Sequence, residues 1–193
     1  MEHVGTRRLE TARLILRRYV PEDARQMYAH WASDDAVTKY LTWPTHPDEG
    51  VTQGLIDNWV ERYADPSVYH WGIELRDGGA LIGDISVVHL SERARAAELG
   101  WCMGRAWWGK GYMPEAARAV LRYLFRDAGF NRVCAAHDVN NPKSGRVMQK
   151  IGMSFEGIGR QEGANNQGLC DLAHYAILAE EFVDDGSTAL FRE

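Results

Sequence analysis

The sequence is poor in cysteine, which disulfide-stabilised secreted proteins require. It has only three cysteines, which are odd in number, widely spaced and without a C-x-x-C pair: Cys102, Cys134 and Cys170. This pattern argues against a disulfide framework and predicts free thiols in a reducing compartment. The charged N-terminus does not read as a secretory segment. We therefore expect a cytoplasmic protein.

Other absences narrow the function further. No apolar run approaches the roughly 18 residues that a membrane span needs, and the seven histidines show no metal-ligand spacing. The net charge is -5 without a dense run of Lys or Arg, whereas a nucleic-acid surface needs a basic stripe. The sequence predicts no membrane, no metal and no nucleic-acid partner, and its acidic balance weakly favours a cationic acceptor.

What is present is the composition of one globular domain. The chain has 193 residues, of which 45% are hydrophobic and 25% charged, enough for a single full core. It contains no internal repeat, low-complexity tract or interdomain linker. We expect one α/β or α+β domain spanning residues 1–193.

The strongest local signal is a glycine loop between a strand and a helix, from Trp107 to Ala116. Its glycines allow backbone N–H groups to approach a ligand, and Pro114 suits the first helical position. The free N–H groups of a helix start favour an anion, so the loop predicts a phosphate-bearing cofactor. A P-loop would need Ser or Thr after Lys110, where Gly111 stands, and a dinucleotide fingerprint would need a third glycine. A turn whose glycines serve geometry alone stays open.

Periodicity predicts the order β-α-α-β-β-β-α-β-α-β-β. Leu9 to Val20 is expected to contain the first strand, and Pro21 opens the first helix. An Asp-Gly-Gly turn joins the next hairpin. The β-α-β crossover around the glycine loop forces one parallel pair within a sheet otherwise built from hairpins.

Several segments together resemble one family. They are Leu9-Glu10-Thr11-Ala12-Arg13-Leu14-Ile15-Leu16-Arg17, Leu81-Ile82-Gly83, Ala97-Glu98-Leu99-Gly100-Trp101, Trp108 to Ala116, Asn141-Pro142-Lys143-Ser144 and Gly168-x-x-Asp171-x-x-x-Tyr175. This set resembles the GNAT superfamily of acetyl-CoA-dependent N-acetyltransferases, in the RimJ/RimL-type branch of ribosomal-protein N-terminal acetyltransferases. The resemblance covers a core of about 9–182 and leaves residues 183–193 as a C-terminal tail. It implies a mixed, mostly antiparallel central sheet with helices on both faces.

The resemblance also implies a cofactor and its site. Acetyl-CoA would be the co-substrate, with its pyrophosphate on the backbone amides of the glycine loop. Its pantetheine arm would lie in a gap where the two strands flanking the crossover splay apart. The implied cofactor residues are Trp101, Cys102, Met103, Gly109, Lys110, Gly111, Tyr112, Met113 and Asn141.

Direct transfer in a ternary complex needs an acceptor for the amine proton and a donor for the departing thiolate. By resemblance Glu98 is the leading base, either directly or through water, although a structural carboxylate is the alternative. Ser144 is the candidate acid, since Met148 stands where many relatives have Tyr. Glu162 is a second candidate base. Asn141 is also expected to cap the following helix through its side chain, bonding the Ser144 N–H.

The acceptor side follows from the family's first two helices. Trp31, Tyr40 and Trp43 are the expected pocket walls, whereas core packing is favoured for Trp59 and Trp71. The acceptor is a protein N-terminus or a small amine, and the chain is a monomer or a homodimer. A different class stays open, namely a non-catalytic acyl-CoA-binding sensor or regulatory protein.

Overall fold

The computed structural model describes residues 2–184, 186 and 189–190. Within them, nine strands form one sheet in the order β7-β8-β6-β5-β4-β3-β2-β1-β9. The strands are β1 (Leu9–Glu10), β2 (Leu14–Arg17), β3 (His70–Leu75), β4 (Leu81–Ser91), β5 (Ala96–Met103), β6 (Arg132–Asp138), β7 (Ser154–Asn165), β8 (Gly168–Leu178) and β9 (Ala189–Leu190).

Helices cover both faces of this sheet. They are α1 (Ala24–Met27), α2 (Asp35–Thr38), α3 (Glu49–Arg62), α4 (Tyr112–Arg126) and α5 (Pro142–Lys150). The buried side of α4 packs in the larger apolar cluster together with Met148 and Ile151, at the end of α5. On the opposite face, α1 and α3 form a second cluster around Trp31 and Ile56. The mixed, mostly antiparallel sheet with helices on both faces is therefore confirmed.

Three elements differ in detail from expectation. The segment expected to hold one strand contains two short antiparallel strands, β1 and β2, because Thr11 bonds back to Leu14 and closes a tight turn. The first helix is a 3₁₀ turn (Pro21–Asp23), then α1, then a π-helical turn (Tyr28–Ala32). α4 begins at Tyr112, so Pro114 is its third residue rather than its first. The first four N–H groups of a helix have no internal partner, so proline is tolerated there as well.

The parallel pair β5–β6 is short. The two strands pair at three positions, from Ala96↔Arg132 to Glu98↔Cys134. Beyond them β5 continues to Met103 and β6 to Asp138, and β6 stays paired with β8 along its whole length. One edge of β5 from Leu99 onward therefore has no strand partner in the described structure, which is the splay that the resemblance implies.

Part of the expected tail joins the sheet. Ala189 and Leu190 form β9 and pair with β1. Residues 185, 187–188 and 191–193 of the expected C-terminal tail lie outside the described residues.

Candidate active site

A cleft of about 710 Å³ opens where β5 and β6 diverge. The start of α4 and the exposed face of α5 form its other walls. Nearly all of the residues expected to hold a cofactor line it: Trp101, Cys102, Met103, Gly109, Gly111, Tyr112, Met113 and Asn141. Lys110 does not, although its flanking glycines do. The sequence-derived set is thus brought together in one place, which we call the cofactor cleft.

The glycine loop has a fixed conformation. Gly109 has φ +76° and Gly111 has φ +81°, a region that other residues adopt only with strain. The Arg13 guanidinium holds the loop from outside: Nη1 donates to the Lys110 carbonyl at 3.1 Å and Nε donates to Glu115 at 2.7 Å. It also lies 4.4 Å from the centre of the Tyr112 ring. Contacts from Arg13, in the turn before β2, thus support the conformation of the loop.

The start of α5 places Ser144 on the cofactor cleft. Asn141 is the N-cap residue, as expected, but its side chain makes no capping bond. Instead its carbonyl accepts the Ser144 N–H at 3.1 Å. The expected side-chain cap is therefore wrong, because φ and ψ of Asn141 (−108°, 69°) lie away from the usual N-cap geometry. Ser144 is half-buried and lines the cleft.

α5 also presents a basic face that the sequence reasoning missed. Lys143, Arg146 and Lys150 line the cofactor cleft. Their spacing of three and four residues puts them on one helical face, and that spacing was the signal in the sequence. Lys143 Nζ lies 3.9 Å from the centre of the Trp108 ring, and the Trp108 indole N–H donates to the Met103 carbonyl at 2.7 Å.

A second cavity, of about 420 Å³, lies on the sheet face covered by α1 and α3. Trp31, Trp43 and Trp59 line it, together with His70 and Asp84. Cys102 lines both this cavity and the cofactor cleft. The two spaces therefore adjoin the same position of β5, and we call the second one the tryptophan cavity.

A carboxylate network lies at the tryptophan cavity. Asp84 Oδ2 accepts the Tyr19 hydroxyl at 2.8 Å and lies 2.5 Å from His70 Nε2. Burial, and after it the Asp84 charge, raises the pKa of the Tyr19 hydroxyl well above its usual value. The same two causes raise the pKa of the Cys102 thiol. Sequence reasoning missed this network, although a lone Asp inside the apolar strand β4 was a signal.

The expected acceptor walls divide between the two spaces. Trp31 is completely buried and lines the tryptophan cavity, as does Trp43. Tyr40 lines the cofactor cleft instead. Trp59 both packs in the second apolar cluster and lines the tryptophan cavity. Trp71 is a core residue whose indole N–H donates to the Arg7 carbonyl.

The candidate bases Glu98 and Glu162 line neither space. Glu98 is on the same face of β5 as Cys102, four residues away, and lines neither space. Glu162 is on β7, where it pairs with His174 of β8 at 2.6 Å. His137 packs between Gly145 of α5 and the Tyr175 ring, whose centre is 5.8 Å from its own.

Comparison with known proteins decides the family. A model of the acetyltransferase (GNAT) domain matches residues 13–154. The chain belongs to the GNAT acetyltransferase family. It is 32% identical over 170 residues to the uncharacterized N-acetyltransferase YoaA of Bacillus subtilis (strain 168), covering 88% of this chain and 96% of that one. It is 27% identical over 164 residues to the [ribosomal protein uS5]-alanine N-acetyltransferase of Escherichia coli (strain K12), covering 79% and 81%.

Solved structures of GNAT proteins have the same architecture. A GNAT-family acetyltransferase from Bacillus anthracis superposes with a TM-score of 0.79 at 28% identity, covering 90% of this chain and 99% of that chain. The microcin C7 self-immunity acetyltransferase MccE, in complex with acetyl-CoA and AMP, gives a TM-score of 0.78 at 18% identity, covering 86% and 93%. The second match shows the shared fold. The first also agrees with the family assignment, so this GNAT chain is an N-acetyltransferase.

Two further observations concern the described residues only. No group of three or more His, Cys, Asp or Glu side chains is arranged to hold a metal ion there. In the same part of the chain, every helix is too short or too polar to cross a membrane.

Proposed function

We propose that this acetyltransferase moves an acetyl group from acetyl-CoA to a primary amine by direct attack in a ternary complex. The observation that carries the proposal is that Cys102 on β5 lines both spaces, so that the cofactor cleft and the tryptophan cavity adjoin the same strand position. One space suits the cofactor and the other an acceptor. A two-substrate reaction without a covalent intermediate needs this arrangement, because both reactants must be bound at once.

The cofactor cleft supports a specific placement of acetyl-CoA. The pyrophosphate would lie on the amides between Gly109 and Met113, at the start of α4, where the helix dipole favours an anion. The basic face of α5 would bind the remaining phosphate charge. The pantetheine arm would run along the free edge of β5 beside Trp101 and Met103. MccE, whose fold this chain shares, has been solved with acetyl-CoA.

The chemistry then requires proton transfer at two points. Ser144 lies on the cofactor cleft and would protonate the departing thiolate. A free β5 N–H would stabilise the oxyanion. The base role of Glu98 stays a prediction, and since Glu98 lines neither space it would have to act through water. Cys102 would not form an acetyl-enzyme, because a raised thiol pKa leaves little thiolate.

The acceptor class is a primary amine, carried by a protein N-terminus or by a small molecule. The Escherichia coli relative that acetylates the alanine of ribosomal protein uS5 supports the first source. The three tryptophans that line the tryptophan cavity support a compact amine or a single N-terminal residue as the group that enters it.

The test is CoA release from acetyl-CoA with a panel of N-terminal peptides and small amines. We expect release with at least one member and initial-rate patterns of a ternary complex rather than of a ping-pong reaction. Ser144→Ala should lower kcat by roughly 10²-fold while the Kd for acetyl-CoA stays near that of the wild type. Tight acetyl-CoA binding without release from any acceptor would overturn the enzyme proposal in favour of a sensor.

A further inference from the structure

Asp84 lines the tryptophan cavity and has one side-chain oxygen atom without a hydrogen bond in the described structure. The side chains of His70 and Asp84 are only 11% and 13% exposed. Both bonds from Tyr19 and His70 go to Asp84 Oδ2, and Oδ1 makes no hydrogen bond with any residue that the structure describes. A buried carboxylate requires partners for its charge. Because Asp84 lines the tryptophan cavity, this second oxygen atom can accept a hydrogen bond from a donor bound there.

The register of the sheet places Asp84 next to the part of β5 where the acetyl group is expected. Asp84 on β4 is the direct register partner of Cys102 on β5, and neighbouring strands are roughly 4.8 Å apart. Cys102 lines both the cofactor cleft and the tryptophan cavity. A group bound by Asp84 is therefore one strand away from an acetyl group delivered along β5.

The surroundings fit a cation that carries an apolar body. Three tryptophans line the cavity, and aromatic faces attract ammonium groups. Apart from Asp84 and the histidines, the charged residues of the lining are Arg62 and Asp65, and both are exposed. Asp84 is the buried anion of the cavity.

We propose that Asp84, positioned by Tyr19 and His70, binds the ammonium group of the acceptor and takes its proton. This inference rests on the proposed acetyl transfer and adds the residue that prepares the amine. The acceptor class is a primary ammonium on an apolar or aromatic body, whether a small amine or the first residue of a peptide.

The proton balance is complete. The ammonium gives one proton to the Asp84–His70 pair, and the neutral amine attacks the thioester carbonyl. The C–N bond forms and the C–S bond breaks. The amine nitrogen then loses its second proton, which reaches the Ser144 oxygen through solvent as Ser144 gives its own proton to the thiolate, so Ser144 ends as a neutral hydroxyl. Products are the amide and free CoA, and the proton held by Asp84–His70 leaves to solvent.

The decisive variant is Asp84→Asn, which keeps the shape of the side chain but removes its charge. We expect kcat/KM for the amine to fall about 100-fold, with the Kd for acetyl-CoA within about twofold of wild type. His70→Gln, which keeps a donor to Asp84, should lower kcat while the amine KM changes little. Asp57→Asn is the matched control, since Asp57 is exposed on α3 and lines neither space.

Two probes distinguish the sources of the amine: 2-phenylethylamine and a hexapeptide beginning with alanine. Binding of each is also measured by tryptophan fluorescence, without turnover, so that a failure of the proposed reaction does not hide the result. Weaker amine binding by Asp84→Asn would support the inference even if wild type released no CoA. Unchanged amine binding and unchanged turnover in Asp84→Asn would overturn it, as would loss of activity in Glu98→Gln alone.

Discussion

Cys102 lies at the point where both substrates are expected to meet, yet its environment makes it an unreactive thiol. Burial and then the charge of Asp84 raise its pKa well above the usual value. Burial is also the largest cause of the raised thiol pKa of Cys134 and of Cys170. A thiol reacts through its thiolate, so each of the three is expected to be slow at neutral pH.

This leads to a residue-scale prediction for thiol titration. In the native protein, reaction with Ellman's reagent should be about tenfold or more slower than that of free cysteine, because little thiolate is present. In guanidinium chloride all three thiols should react rapidly, which serves as the internal control. A fast native thiol assigned to Cys102 by mass spectrometry would contradict this picture and reopen a covalent acetyl-enzyme.

Some residues of the site could be identified from the amino-acid sequence and others could not. Gly109 and Gly111 were predictable because a positive φ restricts the choice of residue, and that restriction is visible in the sequence. The network around Asp84 was not, because His70 and Tyr19 come from separate elements, 14 and 65 residues away in the chain. They come together because β3 pairs with β4 and with β2, after which Tyr19 follows in the chain.

At the scale of elements, α5 is held against the sheet by a close contact. A Cβ atom at Gly145 would lie 2.6 Å from Nε2 of His137 on β6. The imidazole cannot move aside easily, since it stacks on Tyr175 and its Nδ1 bonds the Asp138 carbonyl at 2.8 Å. Gly145 therefore sets the distance between α5, which carries Ser144, and the strand beneath it.

Gly145→Ala should accordingly reduce the free energy of unfolding by about 1–3 kcal/mol, because the added methyl group overpacks the α5–β6 contact. Gly54→Ala is the matched control. Gly54 is also inside a helix, but its Cβ would meet nothing within 4 Å, so alanine should stabilise by about 0.5–1 kcal/mol. Urea denaturation of both variants gives the comparison. Equal stabilisation by the two substitutions would show that α5 does not rest on His137.

Helices with a regular apolar face were predicted well from the sequence. Elements whose shape depends on packing against the rest of the protein were not. α4 has a continuous apolar face and was found, with only its first residues misplaced. The first helix was predicted as regular, but the structure turns it into 3₁₀, α and π segments that place Trp31 in the cavity wall. Local periodicity does not carry this irregularity, because packing against the sheet decides it.

For the molecule as a whole, the sheet consists of two parts that share a short seam. β1 to β5 with β9 form one part and β6 to β8 the other, joined by the three residue pairs of β5 and β6. The separation of β5 and β6 was predicted from the family resemblance and not from the sequence pattern. Both strands are long enough to pair further, so their lengths alone give no sign that they diverge. The cofactor cleft lies in the resulting gap, and acetyl-CoA bound as proposed would complete the hydrogen bonding that β6 does not provide.

Acetyl-CoA should therefore stabilise the whole fold and protect one strand edge in particular. At about 100 times its Kd a ligand of the native state adds about 2.7 kcal/mol, which for this size corresponds to a rise in Tm of about 5–10 °C. Hydrogen exchange should slow most at Trp101 and Met103, whose strand edge the pantetheine arm would cover.

Adenosine 3′,5′-bisphosphate is the control ligand, since it carries phosphates but no pantetheine. It should slow exchange at the start of α4 and along α5 without protecting the β5 edge, because nothing would lie between the two strands. If acetyl-CoA raised Tm while leaving Trp101 and Met103 as exchangeable as before, the arm would not run along β5. The acetyl group would then not reach the boundary of the tryptophan cavity, and direct transfer to an amine beside Asp84 would fail on geometry.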